Sequence, residues 1–80
     1  MDDAEIVQHI TALADEERRL ERAHAGDGLG PGDAERLRSL EVSLDQCWDL
    51  LRQRRARRDA GDDPDRARLR PGDVVEGYQQ

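Results

Sequence analysis

The amino-acid sequence predicts an all-α protein, a two-helix antiparallel coiled-coil hairpin followed by a C-terminal tail. Two runs of apolar residues follow the alternating three-and-four spacing that forms the buried stripe of a packed helix. The first run holds Ile6, Ile10, Leu13 and Leu20, and the second holds Leu37, Leu40, Leu44, Cys47 and Leu51. Between them, residues 26–32 contain four glycines and one proline, which cannot continue a helix. The chain is therefore expected to fold back on itself across this loop.

The first helix is expected over about residues 3–25. Either Asp2 or Asp3 can act as its N-cap, because a carboxylate accepts hydrogen bonds from the unpaired N–H groups of a first turn. Gly26 is expected to end the helix, since glycine adopts the backbone conformation found just beyond a helix end.

The second helix is expected over about residues 33–60, with Asp33 as its N-cap and Gly61 as its C-cap. Together the two helices form a hairpin domain of residues 1–60. In antiparallel packing, the carboxylates at the N-terminus are expected to lie close to the basic end of the second helix.

The remaining residues, 61–80, are predicted to form a tail with short helical turns that docks on the hairpin. Pro64 can start a short helix that continues to Leu69. Further along, three apolar residues are unusual for a solvated tail: Val74, Val75 and Tyr78. Because Val74 and Tyr78 are one helical turn apart, they are expected to make the docking contact.

The apolar face of the hairpin is wider than one partner helix requires. On the second helix Trp48 and Leu50 lie on opposite edges of the stripe, and on the first helix Val7 and Ala14 flank it. This width indicates a second neighbour. The simplest one is another copy of the chain, so a homodimer in the form of a four-helix bundle is expected.

Composition restricts the protein classes to consider. The chain has 80 residues, which is enough for at most one domain. Its net charge of -6 disfavours binding to nucleic acid or to an anionic membrane. No apolar run approaches the ~20 residues of a membrane span. The chain has one cysteine, and its first residues lack the features of a signal peptide, so a cytoplasmic location is expected.

A cluster of arginines near the end of the second helix is the main charged feature: Arg52, Arg54, Arg55, Arg57 and Arg58. Such a cluster could contact phosphates, and a hairpin with acidic residues at its tip resembles the finger of transcript-cleavage factors. Nucleic-acid or transcription-machinery binding is therefore the alternative function. The simpler interpretation is a charged helix end, stabilised by the helix dipole and by nearby carboxylates.

Glu17 interrupts the apolar stripe of the first helix, and His24 occupies a stripe position one heptad later. These two residues are expected to set register or partner specificity, with Glu17 paired to Arg38 or to an arginine of another chain. The alternative interpretation is a proton or metal site shared by Glu17 and His24. His9 and Cys47 have no further ligands nearby in sequence, so no metal site is assigned. No catalytic residue or cofactor is assigned either, and no enzymatic activity is expected.

Two strings, Leu44 to Arg58 (LDQCWDLLRQRRARR) and Arg70 to Tyr78 (RPGDVVEGY), resemble a small family of unknown function from high-GC bacteria. The likeness extends over nearly the whole chain and implies that hairpin and tail form one unit. It implies no activity.

The leading interpretation is a small non-enzymatic module for protein interaction or scaffolding, with a second copy and an unidentified protein as partners. The candidate interaction residues are the five arginines together with Trp48, Leu50, Val74, Val75 and Tyr78.

Overall fold

The computed structural model describes residues 1–23 and 30–76, and over those residues it contains helices and no strand. The helices are α1 (Asp3–Ala23), α2 (Asp33–Asp59) and α3 (Gly72–Glu76), with a 3-10 turn at Pro64–Arg66. The predicted all-α hairpin is confirmed. The roles assigned to His24 and Tyr78, like most of the expected loop, fall outside the described residues.

A reciprocal pair of hydrogen bonds starts α1. The Asp2 carboxylate accepts from the N–H of Glu5 at 2.8 Å, and the Glu5 carboxylate accepts from the N–H of Asp2 at 3.1 Å. This capping box satisfies two backbone donors that the helix itself leaves unpaired. Because Asp2 is the capping residue, the Asp3 carboxylate remains available to the arginines of α2.

The start of α2 differs from the prediction. Gly32 occupies the N-cap position with a φ of 84°, and no side chain caps the helix there. Asp33 is the first helical residue, and its carboxylate accepts a hydrogen bond of 3.2 Å from the N–H of Gly30. The assignment of Asp33 as N-cap is therefore wrong, because a glycine in a left-handed conformation makes the turn into the helix.

The end of α2 is a Schellman motif. Gly61 has a φ of 76° and donates its N–H to the carbonyl of Arg58 at 3.0 Å, while Asp62 donates to the carbonyl of Arg57 at 2.7 Å. These bonds satisfy carbonyls that the last turn leaves unpaired. The turn reverses the chain, and the tail returns along α2.

The two long helices are antiparallel. Asp3, at the start of α1, accepts a hydrogen bond of 2.7 Å from Arg58 at the end of α2, and Glu16 accepts one of 2.5 Å from Arg36 near the start of α2. We call the end of the hairpin at the Asp3–Arg58 contact the open end, and the end at the Glu16–Arg36 contact the loop end. The core cluster consists of Ile6 and Ile10 of α1, Cys47 and Leu50 of α2, and Ala67 of the tail, with Leu13, Leu44 and Leu51 packed against it.

The tail lies along one face of α2, which we call the tail face. The amide of Gln53 donates 2.7 Å to the carbonyl of Arg68, and the amide of Gln46 donates 3.1 Å to the carbonyl of Arg70. Side chains of α2 thus bind the backbone of the tail, which has few hydrogen bonds of its own. Helical spacing puts four residues on this face: Val42, Gln46, Asp49 and Gln53.

The position of α3 depends on a close approach between Gly72 and Val42. A Cβ atom at Gly72 would lie 2.6 Å from Cγ1 of Val42, so a larger residue cannot take that place without a shift. Val75 is 1% exposed, whereas Val74 is 46% exposed. The expected docking through Val74 is therefore wrong, and Val75 is the buried valine.

Leu50 is buried in the core cluster together with Ala67 of the tail. The position of Leu50 on the apolar face predicts a second neighbour, and that neighbour is the tail of the same molecule. Leu50 and Val75 are candidate interaction residues by sequence, but both are buried within the chain, so these two assignments are corrected.

The adjacent valines of α3 give a matched test of tail docking. Val75→Ala should lower the free energy of unfolding by about 2 kcal/mol, because two buried methyl groups are lost and a cavity remains. Val74→Ala should change it by less than about 0.5 kcal/mol, as expected for an exposed site. Urea denaturation followed by circular dichroism measures both; equal effects would show that α3 is not packed as described.

Candidate interaction surface

A buried arginine joins both long helices to the tail. Arg54 is 7% exposed, and its Nε donates 2.5 Å to the carboxylate of Asp3 in α1. Its Nη1 donates 2.9 Å to the carboxylate of Asp65 and 3.3 Å to the carbonyl of Pro64. A buried guanidinium requires such partners, because an unpaired charge in a core is strongly unfavourable. Arg54 is therefore a structural residue, which corrects its prediction as a candidate interaction residue.

Two further arginines of the cluster form ion pairs within the chain. Arg57 donates to Asp62 at 2.9 Å, and Arg58 donates to Asp3 at 2.7 Å. Hydrogen bonds from Arg58 and then Arg54 hold the pKa of the Asp3 carboxyl below its ordinary value. These contacts support the interpretation of the cluster as a stabilised helix end, because the guanidinium groups of Arg54, Arg57 and Arg58 are each paired with carboxylates of the chain.

Asp49 is a second buried charge, 3% exposed, on the tail face. Its carboxylate accepts 2.8 Å from the amide of Gln53 and lies 3.5 Å from Nε of Arg70 in the tail. Sequence reasoning missed this residue. Its signal is the four-residue spacing to Gln53, which puts a carboxylate beside an amide on one face.

Glu17 is half-buried beside two other carboxylates. Desolvation raises the pKa of Glu17, and the carboxylates of Glu21 and Glu41 raise it further. In residues 1–23 and 30–76 no hydrogen bond or ion pair reaches Glu17, so the expected pairing with Arg38 is not seen within the chain. We call Glu17, Glu21 and Glu41 the acidic end, because they lie toward the loop end of the hairpin.

An open groove lies between α1 and α2 near the open end. It has a volume of about 310 Å³ and is lined by Asp3, Val7, Trp48, Leu51, Arg52, Arg55 and Arg58. Trp48 and Val7 are each 49% exposed. We call it the Trp48 groove. Trp48 is two residues from Gln46, which places the two side chains roughly 160° apart around α2, so the groove faces away from the tail.

A second depression, of about 410 Å³, lies beside the tail and includes Met1, His9, Cys47 and Leu69 in its lining. Burial raises the pKa of the Cys47 thiol, which disfavours the reactive thiolate. Among the described residues, no three His, Cys, Asp or Glu side chains are grouped so that they could hold a metal ion.

Comparison with known proteins gives the family. The model of the family "Protein of unknown function (DUF2630)" matches residues 2–80. The chain belongs to this family. It is also similar to uncharacterised proteins of Mycobacterium bovis and of two strains of Mycobacterium tuberculosis, each 48% identical over 77 residues, or 95% of this chain and 88% of the relative. No solved structure shows a significant match.

The predicted membership in a family of unknown function from high-GC bacteria is confirmed, and the relatives' names carry no activity. The two strings that carried the resemblance contact each other, since Gln46 of the first binds the carbonyl of Arg70 in the second. In the described part of the chain, no helix has the length and apolar character needed to span a bilayer.

The adjacent arginines 54 and 55 test the buried ion pair. Arg54→Gln should lower the melting temperature by several degrees at neutral pH, because Asp3 and Asp65 lose their shared donor. The exposed Arg55→Gln should change it little. The pKa of Asp3 is depressed in the folded state, so its stabilising contribution is present near neutral pH and is lost as the pH falls through that pKa. The deficit of Arg54→Gln should therefore shrink in acid, and a deficit independent of pH would contradict the pairing.

Glu17→Gln should raise the melting temperature at pH 7. The pKa of Glu17 is higher in the folded chain than in the unfolded chain. The free energy of unfolding therefore falls as the pH rises from the unfolded-state pKa through the folded-state pKa. The amide removes this penalty, and the gain should disappear below about pH 4, where the native carboxyl is protonated too. Melting curves between those pH values measure the effect. Glu16→Gln is the control and should show no gain, since Glu16 accepts a hydrogen bond from Arg36.

Proposed function

We propose that the protein is a non-enzymatic protein-interaction module that binds its partners through the Trp48 groove. The observation that supports this most directly is the unequal cover of α2. Its tail face is covered by the chain's own C-terminal segment, whereas Trp48 and Val7 on the other side remain half exposed. An exposed apolar patch that includes a tryptophan is a feature of binding surfaces.

The chemistry of the groove fits a protein partner. Its floor consists of Val7, Trp48 and Leu51, and arginines line its rim. Tryptophan and arginine are the residue types that most often contribute strongly to protein interfaces, because each combines a large contact area with a polar group. The groove is open to solvent, which suits a helix or a second protein surface.

The proposal includes self-association of the hairpin as a coiled-coil homodimer and a cytoplasmic location. A chain of 80 residues built on one hairpin has a thin core, and association adds buried surface to it. A cytoplasmic location suits a chain with one buried, unbridged cysteine.

The alternative, nucleic-acid binding through the arginine cluster, receives less support. Arg54, Arg57 and Arg58 bind carboxylates of the same chain, so phosphates would compete with existing ion pairs. The net charge of -6 also opposes the approach of a polyanion. Binding to duplex DNA or RNA at physiological salt would reverse this ranking.

Trp48→Ala tests the module. The tagged chain should capture its partners from the cells that produce it, and the substitution should weaken that capture by at least roughly tenfold, because the largest apolar contact is removed. The melting temperature of the isolated monomer should change little, since Trp48 is half exposed.

Leu69→Ala is the matched control, because Leu69 is an exposed apolar residue on the tail side of the hairpin. It should leave capture unchanged. If Trp48→Ala captures the same proteins as the native chain at the same strength, the groove is not the binding surface.

A further inference from the structure

We propose that the occupant of the Trp48 groove is a second copy of this chain, related by a two-fold axis near Trp48 that sets the arginines of each copy against the acidic end of the other. This inference rests on the proposed function and specifies its partner. It also specifies the orientation, with the α2 helices of the two copies antiparallel.

The spacing along α2 provides the geometry. Glu41 precedes Trp48 by seven residues and Arg55 follows it by seven, which places each of them within about 20° of Trp48 around the helix. At 1.5 Å per residue, Glu41 and Arg55 lie about 10.5 Å from Trp48 in opposite directions. A two-fold axis at the level of Trp48 therefore brings each Arg55 opposite Glu41 of the other copy, because a symmetric interface exchanges the two positions.

The exposed side of α1 has the same polarity. Val7, Ala14 and Glu21 are also seven residues apart, so Val7 contributes to the apolar centre and Glu21 to the acidic end. At the open end Arg52, Arg55 and Arg58 outnumber Asp3 in the lining of the groove, the centre of the face is apolar, and Glu21 and Glu41 lie toward the loop end. A surface of this kind is complementary to itself when one copy is reversed.

Arg55 and Glu41, which the two-fold axis brings together, are both available for contacts with a second copy. Arg55 and Glu41 are both exposed, and neither forms an ion pair within the described residues. Glu41 adds to the repulsion that raises the pKa of Glu17, so a guanidinium placed there would relieve an unfavourable cluster of carboxylates.

Charge also favours a second copy over an unrelated acidic protein. An acidic partner would pair with Arg55 at the arginine rim but would bring further negative charge toward the acidic end. A second copy supplies carboxylates to the rim and arginines to the acidic end at the same time. It therefore matches both ends of the face, although the chain as a whole carries a charge of -6.

The test exchanges the two charges and measures association by light scattering after size exclusion. The native chain should be a dimer of the 9.1 kDa protomer at micromolar concentrations. Arg55→Glu and Glu41→Arg should each weaken dimerisation roughly tenfold, because two attractive exposed pairs become repulsive in each homodimer. Arg19→Glu is the matched control; it makes the same charge change on an exposed site away from this face and should leave association unchanged.

Mixing the two single variants provides the decisive measurement. In a dimer of Arg55→Glu with Glu41→Arg, one contact joins the native Arg55 of one copy to the native Glu41 of the other. The second contact joins the two substituted side chains, with their charges exchanged, so both contacts are attractive. The mixture should dimerise at least as well as the native chain and should form the heterodimer in preference to either homodimer. A mixture no stronger than the single variants would overturn the proposed orientation.

Emission from Trp48, the one tryptophan of the chain, reports the same event at the interface itself. It should shift to longer wavelength on dilution as the groove is exposed to water. A native chain that is monomeric at micromolar concentrations overturns the second copy as occupant. If that monomer still loses a captured protein on Trp48→Ala, the interaction module stands, and if capture is also unchanged, both proposals fail.

Discussion

The structure depends on the buried guanidinium of Arg54. Its partners come from two parts of the chain: Asp3 at the start of α1, and the adjacent Pro64 carbonyl and Asp65 carboxylate in the tail. Because a buried cation without these acceptors is strongly unfavourable, the ends of both helices and the turn of the tail must meet at this point. The capping box at Asp2 and the Schellman motif at Gly61 contribute to the same meeting. The first leaves the Asp3 carboxylate available, and the second turns the chain so that Asp65 can reach Arg54.

Once Arg54 fixes the start of the tail, the rest of the tail follows α2 through polar contacts. Gln53 and Gln46 bind the backbone carbonyls of Arg68 and Arg70 in the tail, and Asp49 lies between these two glutamines on the same face. The tail also brings Ala67 into the core beside Leu50, which enlarges a core that two helices alone could not provide. One side of α2 is thereby closed within a single molecule, and the side with Trp48 remains open.

The sequence was sufficient for the elements whose signals are local. The spacing of Ile6 and Ile10 predicts α1, and the spacing of Cys47 from the other apolar residues of its run predicts α2, because helical periodicity depends only on near neighbours. It was insufficient where a contact joins distant segments. Arg54 follows Leu51 by three residues and so lies on the apolar stripe, but its carboxylate partners, Asp3 and Asp65, are brought to it only by the tertiary fold. The same holds for the candidate surface: the spacing identified Trp48, but only the docked tail shows that Leu50 is covered and Trp48 is not.

The arrangement of charge on the open face bears on which association is possible. Exposed ion pairs contribute little free energy each, so the apolar centre around Trp48 and Val7 would supply most of the affinity. The charges can still select the orientation, since like charges brought together are unfavourable whatever the apolar contact provides. If two copies packed with their α2 helices parallel, Arg55 would face Arg55 and Glu41 would face Glu41. The antiparallel arrangement replaces both repulsions with attractions, and it does so with residues that the folded chain leaves exposed.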